Sequence, residues 1–363
     1  MSGLRIGVVG LGRVGVMHAR NVAQAEGVSE VVLIGRDAAK TERAAGLVRA
    51  SISPGAPAEL AGEFAPVGAT PAAVRATTSG FEEALGSLDG IVVATSTETH
   101  PEFAVSAARA GVPALVEKPL ALDLPTLEDT CRRLEETGSP VMIAFHRRYD
   151  PAHRALRHHI ERGDAGTVRI VSGTDHDRLP LDVDYIPRSG GIWRDLLIHD
   201  FDIIPWVTGQ RIVAVTAQGS VLDAAAHAEH GDVDTAAAIL HLESGAIATV
   251  TGTRRNDAGQ DVRLEVFGSR GTFGAGLSER TPVTSTEPGA SAPPSPYQQF
   301  IDRFEPAFRR EIEAFVALAV GTGGNDSPPR AGVDALRIAL AAARSVDEGT
   351  TIAITEEALE TAP

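Results

Sequence analysis

Apolar runs alternate with amphipathic stretches through the first 145 residues. "RIGVVG" (5–10), "EVVLIG" (30–35), "GIVVAT" (90–95), "PALVE" (113–117) and "PVMIAF" (140–145) are short and nearly uninterrupted by polar residues. Between them lie "GVMHARNVAQAE", "DAAKTERAAGLVRA", "HPEFAVSAARAG" and "LPTLEDTCRRLEETG", whose apolar residues recur at helical spacing. A strand that is apolar throughout is covered on both faces, which predicts a parallel sheet with helices on either side. Residues 51–80 break the rhythm. They are rich in Pro, Gly, Ala and Thr and read as a surface insertion, with a short helix or an extra strand both open.

After residue 146 the pattern changes. "TVRIVSGTD" (167–175), "RIVAVTAQGSVL" (211–222), "TAAAILHLESGAIATVTGTRR" (235–255) and "DVRLEVFGSRGTFGAG" (261–276) are strand-like runs joined by Gly-bearing turns. "LESGA" and "FGSRG" read as hairpin turns. The proline-rich 281–296 segment is a loop, and two amphipathic helical segments close the chain. The expected architecture is therefore an α/β Rossmann domain over residues 1–145, followed by an α+β domain over 146–363. The second domain would have an open-faced, mostly antiparallel sheet.

Composition narrows the function. A hydrophobic fraction of 43% and a charged fraction of 22% are ordinary for a folded chain of 363 residues. The formal net charge of −15 would repel nucleic acid and anionic membranes, so neither is an expected partner. Cys131 is the single cysteine, which excludes an intrachain disulfide and a cysteine-based metal site; no metal is expected. The N-terminus has the charge and length of a strand, not of a secretory signal, and no run reaches the ~18 apolar residues of a membrane span. A cytoplasmic enzyme acting on small molecules is the expectation.

"GLGRVG" (10–15) matches G-x-G-x-x-G directly after a strand and at the opening of a helix. Gly10 permits the tight turn, Gly12 admits a pyrophosphate, and Gly15 lets the helix pack on the strand. The free N–H groups at the helix N-terminus, which begins with Val14 and Gly15, would then face the phosphates of a dinucleotide, and Arg13 inside the loop would add a positive charge. A purely structural glycine turn is the alternative. Most NAD enzymes place an acid roughly 20 residues beyond the glycines to bind the ribose hydroxyls. "LIGRDAAK" offers Gly35 and Arg36 there, which leave room for a 2′-phosphate and can bind it. Asp37 falls late and reads as a helix cap. NADP is therefore favoured over NAD, with NAD still possible.

Two further stretches carry candidate chemistry. "VEKPLA" (116–121) lies at the carboxyl end of the fifth strand, where such sheets bind ligands. Glu117 and Lys118 would face the nicotinamide there, although a solvated loop lysine fits the same pattern. In "GGIWRDLLIHDFD" (190–202), Asp195 and His199 are four apart and would share a helix face. By itself that spacing also fits a polar stripe with a local ion pair.

The chain resembles the glucose–fructose oxidoreductase and inositol dehydrogenase (Gfo/Idh/MocA) family along nearly its whole length. The likeness rests on "GLGRVGVMHA" (10–19), "VVATSTETHPEFAVSAARAGVPALVEKPLA" (92–121), "FHRRYDP" (145–151), "SGGIWRDLLIHDFDI" (189–203), "LEVFGSRG" (264–271) and "EIEAFVALAVG" (311–321). Within the family it is most similar to inositol 2-dehydrogenases. The resemblance implies an active site at the domain junction, a cis Lys118–Pro119 bond, and a substrate alcohol held by Lys118, Asp195 and His199. His199, of a residue type with an unperturbed pKa of about 6.5, would be the general base. Lys118 would stabilise the alkoxide, and Asp195 would orient the histidine or bind a neighbouring hydroxyl.

Thr95, Ser96 and His100 in "VATSTETH" would line the nicotinamide ribose, with helix capping open for Thr97 and Thr99. Arg147 would approach the cofactor or cap the junction. His176 would reach the substrate or lie idle at the surface. The family's cyclitol-contacting tyrosine is missing from "TRRNDAGQDVRLEVFG", and Gln260 falls near its place. That departure leaves the substrate open among inositol isomers, sugars, amino sugars and glycosides. The resemblance implies hydride transfer between NAD(P) and a secondary alcohol of a cyclitol or sugar. Transient sugar-ring oxidation with elimination of a glycosidic substituent is the alternative, and a non-enzymatic sensor a weaker third. An exposed sheet face would be covered by another subunit, giving a homodimer or homotetramer.

Overall fold

The computed structural model describes residues 3–53 and 71–355. The chain divides into two compact units: residues 1–149 with 305–333, and residues 150–304 with 334–363. A single cut at 145/146 misses that residues 305–333 return to the first unit. The helix Phe300–Ala319 leaves helical geometry at Phe304, where the units meet in sequence. Pro306, two residues on, lacks the N–H that a continuous helix needs.

The first unit begins with β1 (Leu4–Val9), α1 (Arg13–Gln24), β2 (Val28–Ile34) and α2 (Ala38–Ser51). It continues through β3 (Ala73–Thr77), α3 (Phe81–Leu85), β4 (Gly90–Val93), α4 (His100–Arg109), β5 (Ala114–Val116), α5 (Leu124–Thr137) and β6 (Val141–Ile143). The six strands are parallel in the order β3-β2-β1-β4-β5-β6. The order reverses between β1 and β4, so the carboxyl ends of those strands open a crevice where this class of sheet binds ligands. β4, β5 and β6 are buried at every residue, which is why their sequences show no polar alternation.

The 51–80 segment is only partly an insertion. Its last residues form β3, an edge strand in register with β2 from Glu30↔Ala73 to Ile34↔Thr77. "AVRAT" is half-exposed along its length, so its apolar signal is weak. Residues 54–70 lie outside the described residues.

The second unit contains α6 (Pro151–Glu161), β7 (Val168–His176), the single turns α7 (Ile186–Ser189) and α8 (Ile192–Asp195), and α9 (Ile198–Thr208). After these come β8 (Ile212–Ser220), α10 (Ala226–Glu229), β9 (Thr235–Leu242), β10 (Ile247–Thr253), β11 (Asp261–Gly268) and β12 (Thr272–Ala275). Of the two closing helices, α11 (Phe300–Ala319) belongs to the first unit from residue 305 on and α12 (Pro329–Glu348) to the second from residue 334 on, before a short β13 (Ile352–Ala353). The strands form one sheet, β12-β11-β7-β10-β9-β8-β13, antiparallel except for the β7–β10 pair. It is the mixed, mostly antiparallel sheet expected from the alternating pattern.

One face of that sheet carries Val171, Gly173 and Asp175 on β7 and Ala248, Val250 and Gly252 on β10, all buried. Gly173 and Gly252 make room for the segment above them. A Cβ at Gly173 would stand 2.9 Å from Asp200 Oδ1, and one at Gly252 3.1 Å from Leu197. The opposite face exposes Ile170, Ile239, Ile247 and Phe267, each more than a third accessible. Among the described residues, no helix is long and apolar enough to cross a membrane.

Candidate active site

In the first unit the glycine loop has the shape its sequence requires. Gly10 sits at φ +87°, and a Cβ there would lie 2.2 Å from the Ala94 carbonyl oxygen. A Cβ on Gly15 would lie 1.7 Å from the Gly10 oxygen, so helix and loop touch backbone to backbone. A Cβ on Gly12 would meet nothing within 4 Å, so the space outside the turn is open. α1 has no side-chain cap at Gly12 and no acid in its first turn. Such an end attracts an anion, and the loop fits a pyrophosphate.

At the end of β2, Gly35 is required by a neighbour: a Cβ would lie 2.0 Å from Thr41 Oγ1. Arg36 is exposed beside it. Asp37 caps α2 by accepting from the Lys40 N–H (2.9 Å), as its late position suggested.

His100 bridges two loops. Its Nδ1 is 2.9 Å from the Pro119 carbonyl oxygen and its Nε2 3.1 Å from that of Thr95. It is almost fully buried, so it ties the end of β4 to the turn carrying Lys118 and does not itself line an open surface. Thr95 Oγ1 accepts from the Thr99 hydroxyl (2.8 Å), and Ser96 is exposed. The Lys118–Pro119 bond is cis. Arg147 is buried within the 3₁₀ turn His146–Tyr149.

Glu117 anchors the Lys118 turn. Its Oε1 lies 2.7 Å from His18 Nε2 on α1, and its Oε2 accepts the Lys118 N–H (3.2 Å). Burial works to raise the Glu117 pKa. The hydrogen bond and charge of His18, with the charges of Lys118 and His100, outweigh it and hold the carboxyl below its usual range. Glu311 on α11 does the opposite. Burial, and then the Glu117 charge, push it well above the usual carboxyl range, and neither of its oxygens has a hydrogen-bond partner among the described residues. The surroundings thus favour the charge of one of two neighbouring acids and oppose that of the other. Sequence reading noted "EIEAFVALAVG" without singling out Glu311.

In the second unit the expected continuous helix is interrupted. α8 ends at Asp195 and α9 begins at Ile198, so Asp195 and His199 do not share one regular helix face. The N–H groups of both Leu196 and Leu197 donate to the Ile192 carbonyl (3.1 and 2.9 Å). The break lets Leu197 descend onto Gly252 of the sheet. His199 lies in the first turn of α9 and is 8% exposed.

Asp195 Oδ2 accepts from Arg254 Nη1 (2.9 Å), and Asp177 Oδ2 lies 3.7 Å from the same nitrogen. Arg254 is 1% exposed, whereas the side chains of Asp177 and Asp195 remain 19% and 15% exposed. Burial works against the guanidinium charge, but Asp195, Asp177 and Asp232 more than restore it. Gln260 stands behind Asp177: its Nε2 donates to Asp177 Oδ1 (2.9 Å) and its Oε1 accepts the Arg178 N–H (3.3 Å). It is buried, so it supports a carboxylate and forms no exposed wall. His176 is on the far face of the sheet, 3.0 Å from Thr251 Oγ1, away from the face on which Leu197 and Asp200 pack. Sequence reading missed Asp177 and Arg254. The doubled arginine of "GTRRND" just past a strand end was the available signal.

Burial, then the nearby Asp175 charge, raise the Asp177 pKa from 3.8 to about 6; Asp195 adds to this, while Arg254 and Gln260 resist it.

A glycine turn with an uncapped helix N-terminus at the sheet's switch point, followed in the chain by an open-faced mixed sheet, defines a Rossmann-fold oxidoreductase. Residues 4–145 match the model of the oxidoreductase family with NAD-binding Rossmann fold, and residues 153–274 match the GFO/IDH/MocA C-terminal domain. The chain is 34% identical to a myo-inositol dehydrogenase of Streptomyces leeuwenhoekii, over 96% of this chain and 98% of that protein. It is 35% identical to an inositol 2-dehydrogenase of Rhizobium meliloti, over 97% of this chain and 99% of the relative. A crystal structure of a myo-inositol dehydrogenase from Corynebacterium glutamicum superposes with TM-score 0.81 at 29% identity, covering 97% of this chain and 99% of that one. The chain belongs to the Gfo/Idh/MocA family of oxidoreductases.

Asp177 yields a test. An acid whose folded pKa is raised favours folding while protonated and loses that contribution as pH rises. The loss should fall between pH 3.8 and about 6. Urea unfolding of wild type and Asp177→Asn across that window should show the variant gaining relative stability with rising pH, then levelling off. A relative gain by the wild type would mean the charged form is the one the fold favours.

Proposed function

We propose that the protein is an NAD(P)-dependent cyclitol dehydrogenase, oxidising a secondary alcohol of an inositol or a closely related ring polyol to the ketone. The observation that carries this reading is the pair of partly exposed carboxylates, Asp177 and Asp195, on the buried Arg254. Two fixed acceptors of this kind suit neighbouring hydroxyls of a polyol. The relatives named above are inositol dehydrogenases, which supports the same substrate class.

The glycine loop and the first turn of α1 would hold the dinucleotide, with Thr95 and Ser96 near its ribose. Bound NAD(P) supplies the hydride acceptor. His199 takes the proton of the substrate hydroxyl, and Lys118 stabilises the oxygen as its charge develops. Asp195 and Asp177 orient the ring through other hydroxyls. Gln260 acts through Asp177, and His176, beside Thr251 on the opposite face of the sheet, has no part in this reading. Accumulation of reduced nicotinamide with a free inositol would separate this reaction from oxidation followed by elimination, which returns the hydride. A panel of inositols, aldoses and glycosides with both cofactors makes that measurement.

Lys118→Ala and His199→Ala should each lower kcat by roughly 10²-fold or more, the scale of lost acid–base and electrostatic groups. A near-wild-type kcat in steady-state assays would remove that residue from the chemistry. For the cofactor we favour NADP, because Gly35 and the exposed Arg36 stand where an acid would repel a 2′-phosphate. kcat/KM should be higher with NADP than with NAD, and Arg36→Ala should erase the difference; equal or better use of NAD by the wild type overturns this.

The exposed apolar face with Ile170, Ile239, Ile247 and Phe267 supports a homodimer or homotetramer. Sedimentation should give a mass above one chain, falling in Ile247→Asp. A monomeric wild type at micromolar concentration would refute it.

A further inference from the structure

The single turn that carries Asp195 is too short to hold itself. An isolated helical turn fixes several dihedral angles for about one hydrogen bond and is unfavourable without outside support. α8 has four residues, and its own cap residue, Gly191, supplies no side chain. At its far end, Asp195 is held by Arg254. At its near end the support comes from the segment between β8 and β9.

Asp232 Oδ1 accepts the Ile192 N–H (2.8 Å), doing from another loop what a capping side chain does locally. Its second oxygen, Oδ2, is 2.9 Å from Nδ1 of the buried His227. The Asp232 N–H donates to the His227 carbonyl (2.9 Å), so the two residues are bound twice. Gly191 makes the approach possible. It sits at φ +82°, and a Cβ there would come within 2.9 Å of Asp232 Oδ1. The Gly191 carbonyl accepts the Asp195 N–H (2.9 Å), and the Ile192 carbonyl accepts those of Leu196 and Leu197. The residues that Asp232 fixes are therefore the ones that set the Asp195 backbone.

The same segment is tied to Arg254. Asp234, two residues on, accepts the N–H groups of Leu222, Asp223 and Ala224, while its carbonyl accepts the Arg254 N–H (2.8 Å). Asp232 is also one of the three carboxylates that keep Arg254 charged.

We propose that Asp232, backed by His227, is a positioning residue for Asp195: it pins the start of the α8 turn so that the Asp195 carboxylate is presented at a fixed place. This rests on the reading of Asp195 as a substrate-binding group.

A double-mutant cycle separates the two claims. Asp195→Asn alone tests the reading of Asp195 and should lower kcat/KM at least tenfold. Asp232→Ala should lower kcat/KM for the polyol about tenfold with the Kd for reduced cofactor unchanged. Asp232→Asn, which keeps an acceptor for the Ile192 N–H, should restore most of the loss. In an Asp195→Asn background, Asp232→Ala should cost less than about threefold more. If Asp232→Ala does not fold, His227→Gln, which leaves the Asp232–Ile192 bond in place, should show a smaller loss with the same coupling. Wild-type kinetics for Asp195→Asn would sink the reading of Asp195. A strong Asp195→Asn defect with independent, multiplicative Asp232 and His227 effects would sink the positioning role alone.

Discussion

A guanidinium taken out of water must be matched, and in the second unit that requirement organises the surroundings. Arg254 is 1% exposed, and an uncompensated buried charge costs several kcal/mol. Two carboxylates reach the same side of it, Asp195 from the turn α8 and Asp177 from the end of β7. Its backbone N–H is tied to Asp234, and Asp232 adds a third negative charge from the same segment. Segments far apart in the chain are brought to one cation because each would be less stable alone. The carboxylates keep a partly open surface because Arg254 is covered from behind.

The first unit solves a related problem with the opposite sign. Glu117 is a largely buried anion, and it stays charged because His18, Lys118 and His100 surround it. A second charge so close would be costly, and burial together with the Glu117 charge pushes the Glu311 carboxyl well above its usual range. The charged Glu117 then accepts the Lys118 N–H, while His100 joins the Thr95 and Pro119 carbonyls at the ends of β4 and β5. The lysine turn is thus held by buried electrostatics, and the glycine loop by contact between backbones. Both leave α1 with an uncapped N-terminus and an open space in front of it.

Patterns that repeat along the chain were legible without coordinates. β4, β5 and β6 are buried on both faces, and a strand in that setting must be apolar at every position. β9 alternates buried and exposed residues as a one-sided strand must. The glycine loop was legible because its constraints are local: Gly10 sits at φ +87°, and a Cβ on Gly15 would collide with the Gly10 carbonyl of the same turn. Asp37 was legible as a cap because capping is local. By contrast the sequence leaves β3 undecided between a strand and a short helix, since an edge strand with half-exposed residues carries little apolar signal. Gln260 was located by its offset from a motif, but only the fold shows its amide turned toward Asp177.

The sequence by itself therefore determined the two-part architecture, the dinucleotide turn and the residue types available for chemistry. These depend on periodicity, local sterics and short-range hydrogen bonds, which are properties of neighbouring residues. Tertiary structure alone decided that the helix breaks between Asp195 and His199 and that Asp177 joins Asp195 on Arg254. It also decided that His176 lies on the other face of the sheet and that Asp232 caps a turn some forty residues earlier in the chain. Those outcomes follow from burying charge and from fitting Leu197 against Gly252. Such contacts join residues whose separation along the chain carries no information about their distance in space.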